Sequence, residues 1–225
     1  MIGIVASAGG VKTLSCFLAQ IPAAFPAPIL IAQHLARNRK SHLIEVLQRS
    51  SRLPVVWAEN GMPISGATVY LAPADHYVSV EGRTLLVRSA PPGERSKNVG
   101  NVLLRSLAAA YGRKALAVVL TGCLSDGAAG ARVISERGGR VFVQSPESCD
   151  YSDMPIASLK TGTVDFALPI GVLAAAVTAF TMAPGARALF TVGNEYRVAM
   201  AREQMRLSGY DDSAPRLSQG KAFGI

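Results

Sequence analysis

The chain opens on a short apolar run, Ile2-Gly-Ile-Val-Ala6, which breaks into Ser7-Ala8-Gly9-Gly10 and then into helical spacing from Val11 to Gln20. A strand without polar alternation, a tight glycine turn and a helix form the first half of a βαβ unit, which commits the chain to a parallel sheet covered on both faces. The helical spacing turns Val11, Leu14 and Leu18 inward, with Cys16 or Phe17 beside them. In such sheets ligands gather beyond the carboxyl ends of the strands. Ser7 stands at that edge, next to the free N–H groups of a helix N-terminus. Its hydroxyl has three candidate roles there: phosphate ligand, helix cap or nucleophile.

The same grammar recurs downstream. Ile29–Ala32 is an apolar run ending at Gln33-His34, and Ser41 to Arg49 is helical through Leu43, Val46 and Leu47. Val55–Ala58 and Thr68–Leu71 read as strands, and Tyr77–Val80 with Thr84–Val87 flank Glu81-Gly-Arg83 as an antiparallel hairpin. Ser89–Asn98 is a surface loop, Val99–Tyr111 a helix, and Ala115–Leu120 the clearest buried strand. After it come Thr121-Gly-Cys-Leu-Ser-Asp126-Gly127 and a helix to Arg137. Arg140–Val143 is a further strand, Pro155 opens a short helix, Asp165–Leu168 is an edge strand, and Gly171–Met182 is an Ala-rich helix. The expected fold is α/β: a doubly wound, mostly parallel sheet with helices on both faces and a small hairpin. Residues 1–184 form that domain, and 185–225 are a C-terminal extension, helical over Asn194–Leu207 and then loose.

Composition narrows the function classes. No apolar run is long enough to cross a bilayer, and the first run is too short for a signal peptide. Cys16, Cys123 and Cys149 lack metal-type spacing, and their odd number fits a reduced, cytoplasmic protein. The formal charge of +8 points to an anionic partner. Its local clusters are Arg37, Arg39 and Lys40, and Arg95 with Lys97, and neither is interleaved with aromatics as in single-strand nucleic-acid binders. Neither membrane insertion nor nucleic acid is expected.

Three polar residues share one address. Ser7, His34 and Asp126 each lie just past a predicted parallel strand, so all three loops emerge on one edge of the sheet. Alcohol, imidazole and carboxylate are the parts of acyl-transfer chemistry. Each has a plainer role: Ser7 as a cap, His34 as a satisfied loop histidine, Asp126 as the cap of the helix near Gly127. His42 and His76 are rival bases, and Asp75, Asp150, Asp153 and Asp165 rival carboxylates, none at an equivalent strand end. The glycine loop is neither a P-loop nor a dinucleotide fingerprint, and Val5 rules out the nucleophile elbow. Cys123 is a weaker nucleophile candidate in the same loop, Cys16 is expected to be structural at the core, and Cys149 has no assigned chemistry.

Several motifs in order carry a resemblance. Gly3-Ile-Val-Ala-Ser-Ala-Gly-Gly10, Ile31-Ala-Gln-His34, Tyr70-Leu-Ala-Pro73, Leu120-Thr-Gly-Cys-Leu-Ser-Asp-Gly-Ala128, and Gln144-Ser-Pro-Glu-Ser-Cys149 with Met154-Pro155 are similar to the catalytic domain of the chemotaxis receptor methylesterases, the CheB family. The match runs from Ile2 to about Leu173. The resemblance implies hydrolysis of glutamyl methyl esters, and deamidation of some glutamines, on acidic cytoplasmic helices of chemoreceptors, with no cofactor or metal. By position it makes Ser7 the nucleophile, His34 the base and then acid, and Asp126 the orienting carboxylate. Backbone N–H groups around Ala8, Gly9 and Gly10 become candidate oxyanion donors, with Cys123 in the active-site loop. Arg37, Arg39 and Lys40 would steer acidic substrate.

The chain departs from the family pattern in places. Ala8 stands where relatives usually have Thr, and Cys123-Leu124 where they usually have Met-Gly, and a side chain at 124 is a problem if that position needs positive φ. Relatives usually carry an N-terminal phosphoacceptor domain, whereas here the first strand starts at residue 2, so the expectation is an ungated or partner-controlled activity, the regulatory partner being unknown. The alternative reading is a non-catalytic module of the same type that docks on acidic helices or a signalling partner.

Overall fold

The structure, a computed structural model, describes residues 1–35, 42–91 and 98–210. Arg37, Arg39, Lys40, Arg95 and Lys97 lie outside the described residues. The parallel sheet comprises β1 (Ile2–Ala6), β2 (Ile29–Gln33), β3 (Val55–Trp57), β4 (Val69–Leu71) and, after the hairpin β5 (His76–Glu81) and β6 (Thr84–Ser89), β7 (Leu116–Val119), β8 (Arg140–Gln144) and β9 (Phe166–Leu168). Strand order is β3-β4-β2-β1-β7-β8-β9, with every neighbouring pair parallel. The antiparallel hairpin forms its own two-stranded sheet, joined by a single bridge from Thr84 to Pro63. The chain leaves β1 towards β2 on one side and returns to β7 on the other, so the crevice between the ends of β1 and β7 is the topological switch point.

Period-two alternation splits the core into two layers. Ile2, Ile4 and Ala6 face α1 (Gly10–Ala19), α2 (Leu43–Ser50) and α6 (Ile170–Met182), through Leu14, Phe17, Leu18, Leu47 and Leu173. Val5, Ala117 and Val119 face α3 (Val99–Tyr111), α4 (Ala128–Glu136), α5 (Asp153–Leu159) and the hairpin. Gly3 lets α3 lie close to β1, because a Cβ there would fall 2.8 Å from Leu104 Cδ2 and run into Leu107. The N-terminus of α3 is thereby brought to the carboxyl edge of the sheet.

Some expected faces were wrong. The buried arc of α1 is Thr13, Leu14, Phe17 and Leu18, while Val11 is 39% exposed and Cys16 is exposed. At 100° per residue the arc centres between Leu14 and Phe17, which leaves Val11 at its margin in the first turn and Cys16 on the far side. In α2 only Leu43 and Leu47 are buried, and Val46 points outward. The chain beyond residue 184 forms α7 (Ala186–Leu189) and α8 (Asn194–Leu207). Both pack on the β8–β9 edge: Phe190 stacks on Phe142 at 5.7 Å, Ala201 is buried, and Arg197 Nη2 donates to the buried Asp165 at 2.6 Å.

Candidate active site

Ser7 follows β1 directly. Its N–H donates to Thr121 O at 3.0 Å, two residues beyond β7, so the two loops at the switch point are tied together. Gly9, at φ +75°, turns the chain into α1, and no side chain caps that helix. The capping role open to Ser7 is therefore not taken, and its hydroxyl faces elsewhere. Gln33, at the end of β2, donates from Nε2 to Ser7 O at 2.9 Å and to His34 O at 3.0 Å. It clamps the serine and histidine backbones together. The sequence held one signal for this role, an amide at the end of an otherwise apolar strand.

His34 Nδ1 lies 3.1 Å from Ser7 Oγ, and His34 Nε2 lies 2.8 Å from Asp126 Oδ2. An ionised carboxylate can only accept, so Nε2 carries the proton and Nδ1 presents its lone pair to the serine hydroxyl. Asp126, 8% exposed, accepts three further N–H bonds: Gly100 at 2.8 Å on Oδ2, and Asn101 and Gly127, each at 2.9 Å, on Oδ1. Gly100 and Asn101 are in the first turn of α3, so Asp126 does cap a helix, but not the α4 that follows it. Burial alone raises its pKa; the His34 bond and the N–H groups of Gly100 and Asn101 outweigh burial and hold the carboxyl below its usual value. Gly100 must be glycine here, since a Cβ would meet Val5 and stand 3.1 Å from Asp126 Oδ2.

Donors for a developing oxyanion are narrower than the sequence suggested. Gly10 N–H is bonded to Ser7 O at 2.9 Å. The N–H groups of Ala8 and Gly9 have no acceptor among the described residues and lie at the positive end of α1. In the opposite wall, Thr121 Oγ1 bridges Ala8 O and Tyr151 O, each at 3.1 Å, and Gly122 packs so close that a Cβ would sit 2.7 Å from Ser7 Cβ. Burial and then Asp153 push the Cys123 thiol up, so it is not an activated thiolate. Leu124 has φ +67°, donates its N–H to Asp153 Oδ2 at 3.2 Å and leaves its side chain 79% exposed.

Two of the rival carboxylates border the site, Asp150 beside Gly9, where a Cβ would lie 3.1 Å from its Oδ2, and Asp153 accepting the Leu124 N–H, whereas the rival histidines and Asp165 are held elsewhere. His42 N-caps α2 and pairs with Glu45 at 3.6 Å, and His76 Nδ1 bonds Ala74 O at 2.7 Å. Asp165 precedes β9, at the opposite rim from Ser7, bound to Val141 N–H and Arg197. Cys149 is half-buried, and burial with Glu147 and Asp150 pushes its thiol up to about 12. No group of three His, Cys, Asp or Glu among the described residues is placed to hold a metal ion, and no helix there is long and apolar enough to cross a membrane.

A family model described as CheB methylesterase matches residues 2–177. The protein-glutamate methylesterase/protein-glutamine glutaminase of Saccharophagus degradans is 34% identical over 172 residues, covering 76% of this chain and 47% of the relative. That of Myxococcus xanthus is 38% identical over 157 residues, covering 69% and 44%. The chain spans about half the length of these curated relatives. Among solved structures, the Thermotoga maritima CheB methylesterase catalytic domain matches with a TM-score of 0.69 and 29% identity, over 75% of this chain and 92% of that chain.

Proposed function

The chain belongs to the CheB methylesterase family, and from that premise we propose that it is a serine hydrolase of glutamyl methyl esters, and of some glutamine amides, on the acidic cytoplasmic helices of chemotaxis receptors. One observation carries the reading: the unbroken run of contacts from Ser7 Oγ through His34 to Asp126 at the switch point of the sheet. His34 Nδ1 takes the hydroxyl proton as Ser7 Oγ adds to the ester carbonyl, and Asp126 stabilises the imidazolium through Nε2. Ala8 and Gly9 N–H receive the oxyanion. The imidazolium then protonates the departing methoxide (ammonia departs from an amide), which leaves an acyl-enzyme on Ser7. Water, deprotonated by His34, attacks that ester; the glutamate carboxyl leaves and the serine proton is restored. The net charge of +8 suits an acidic substrate, with Arg37, Arg39 and Lys40 as the proposed steering residues.

The test is Ser7→Ala. The wild-type protein should release methanol from a methylated receptor fragment and be labelled by a fluorophosphonate. The variant should do neither, with stability within about 0.5 kcal/mol of wild type, as for a surface substitution. Unchanged turnover by the variant would remove Ser7 from the mechanism. Receptor binding without any acyl-enzyme in the wild type would favour the docking-module reading.

A further inference from the structure

Leu124 is disfavoured twice over by its surroundings. Its φ of +67° is a conformation that side chains other than Asn and Asp rarely adopt, and its isobutyl group is 79% exposed. Neither feature is offset by a side-chain bond, since among the described residues the hydrogen bond Leu124 makes is from its backbone, to Asp153. An apolar side chain held at positive φ in the open is a place to look for function. Its position is the second observation. Two residues before it, Gly122 abuts Ser7, and two residues after it, Asp126 holds His34. The neighbouring loop adds Tyr151, 40% exposed, whose carbonyl accepts the Gly122 N–H at 2.9 Å. Leu124 and Tyr151 are thus exposed apolar residues on two bonded loops that wall the serine, in a chain whose excess charge is basic.

We propose that Leu124 is a specificity residue of this site, which packs on an apolar side chain one helical turn from the reacting residue of the substrate. The inference rests on the hydrolase reading for its substrate, and not for the contact itself. On a helix, residues four apart share a face, so a segment that presents a glutamyl ester to Ser7 brings its neighbour at that spacing to the rim. Covering about 40 Å² of apolar surface there corresponds to roughly fivefold in affinity or kcat/KM.

The experiment uses two helical peptides, each with one glutamyl methyl ester, that differ only in Leu or Ser four positions away. Wild type should prefer the leucine peptide by about fivefold in kcat/KM. Leu124→Asn, which keeps a residue tolerant of positive φ, should lose the preference, and Leu124→Met should retain it. No preference in wild type, or a preference that survives Leu124→Asn, overturns the proposal. The same peptides titrated against Ser7→Ala protein separate the two readings. A binding preference that Leu124→Asn abolishes, with no turnover by wild type, keeps the Leu124 contact and refutes the esterase. Turnover of both peptides without preference refutes Leu124 alone.

Discussion

Asp126→Asn is the substitution for which this geometry gives the sharpest expectation, because one carboxylate serves both the helix and the imidazole. The carboxylate accepts four bonds, two on each oxygen. An amide offers one accepting oxygen and one donating nitrogen. If the NH₂ replaces Oδ1, it confronts the N–H groups of Asn101 and Gly127. If it replaces Oδ2, it confronts Gly100 N–H and drives His34 to the other tautomer, whose protonated Nδ1 cannot accept from Ser7. The first placement strands two buried donors and the second only one, at about 1–3 kcal/mol each, so the second is preferred and a loss of about 2 kcal/mol is expected. For a chain of this size that lowers Tm by roughly 4–8 °C. Turnover should fall by about 10⁴, the effect of mis-setting the tautomer in a serine–histidine–aspartate site. The acid limb adds a signed check. The Asp126 pKa is depressed by folding, so its stabilisation is complete above the ordinary aspartate range and is lost as pH falls from there through the lower native value. Urea unfolding at neutral pH and near pH 3, with methanol release on the same samples, measures all three. A variant as stable as wild type, or active within tenfold of it, would refute the shared role. So would a stability gap between the two proteins that does not narrow in acid.

Gly100→Ala should destabilise by about 2 kcal/mol through overpacking against Val5, and should lower kcat/KM as the first turn of α3 shifts off Asp126; urea titration and ester turnover check the pair. The cysteines should label in a fixed order with a disulfide reagent at pH 8. Exposed Cys16 reacts first, and Cys149, with its thiol pushed up to about 12, reacts only on unfolding; early labelling of Cys149 followed by mass spectrometry would contradict its burial.

The sheet was legible because each buried parallel strand is a short apolar run that ends in a polar turn, and that pattern is local. Ser7, His34 and Asp126 could be read for the same reason: topology alone assigns three strand ends to one rim. What could not be read depends on contacts between distant segments. Neither the Phe190 stack on Phe142 nor the Arg197–Asp165 pair has a local signature, so the contacts of Phe190 and Arg197 with the β8–β9 edge could not be read. Val11 and Cys16 were misplaced because a helical period fixes spacing but not the phase, and the phase is set by which arc the sheet covers.

The donors to Asp126 show how far such reasoning reaches. Asp126 as a cap and Asp126 as a catalytic carboxylate read as competing roles, each drawn from its neighbours in sequence. In the fold the two are compatible, since one carboxylate holds both His34 and the first turn of α3. The first turn of α3, some twenty-five residues upstream, supplies Gly100 and Asn101 N–H, and Gly3 and Gly100 supply the close approach that brings that turn to the rim. Despite burial, the His34 bond and then those N–H bonds hold the carboxyl below its usual value, and an ionised carboxylate fixes the histidine tautomer that lets Nδ1 accept from Ser7. A glycine in a strand and a glycine in a helix, which sequence propensity counts as weaknesses, therefore help set whether His34 Nδ1 can accept from the Ser7 hydroxyl.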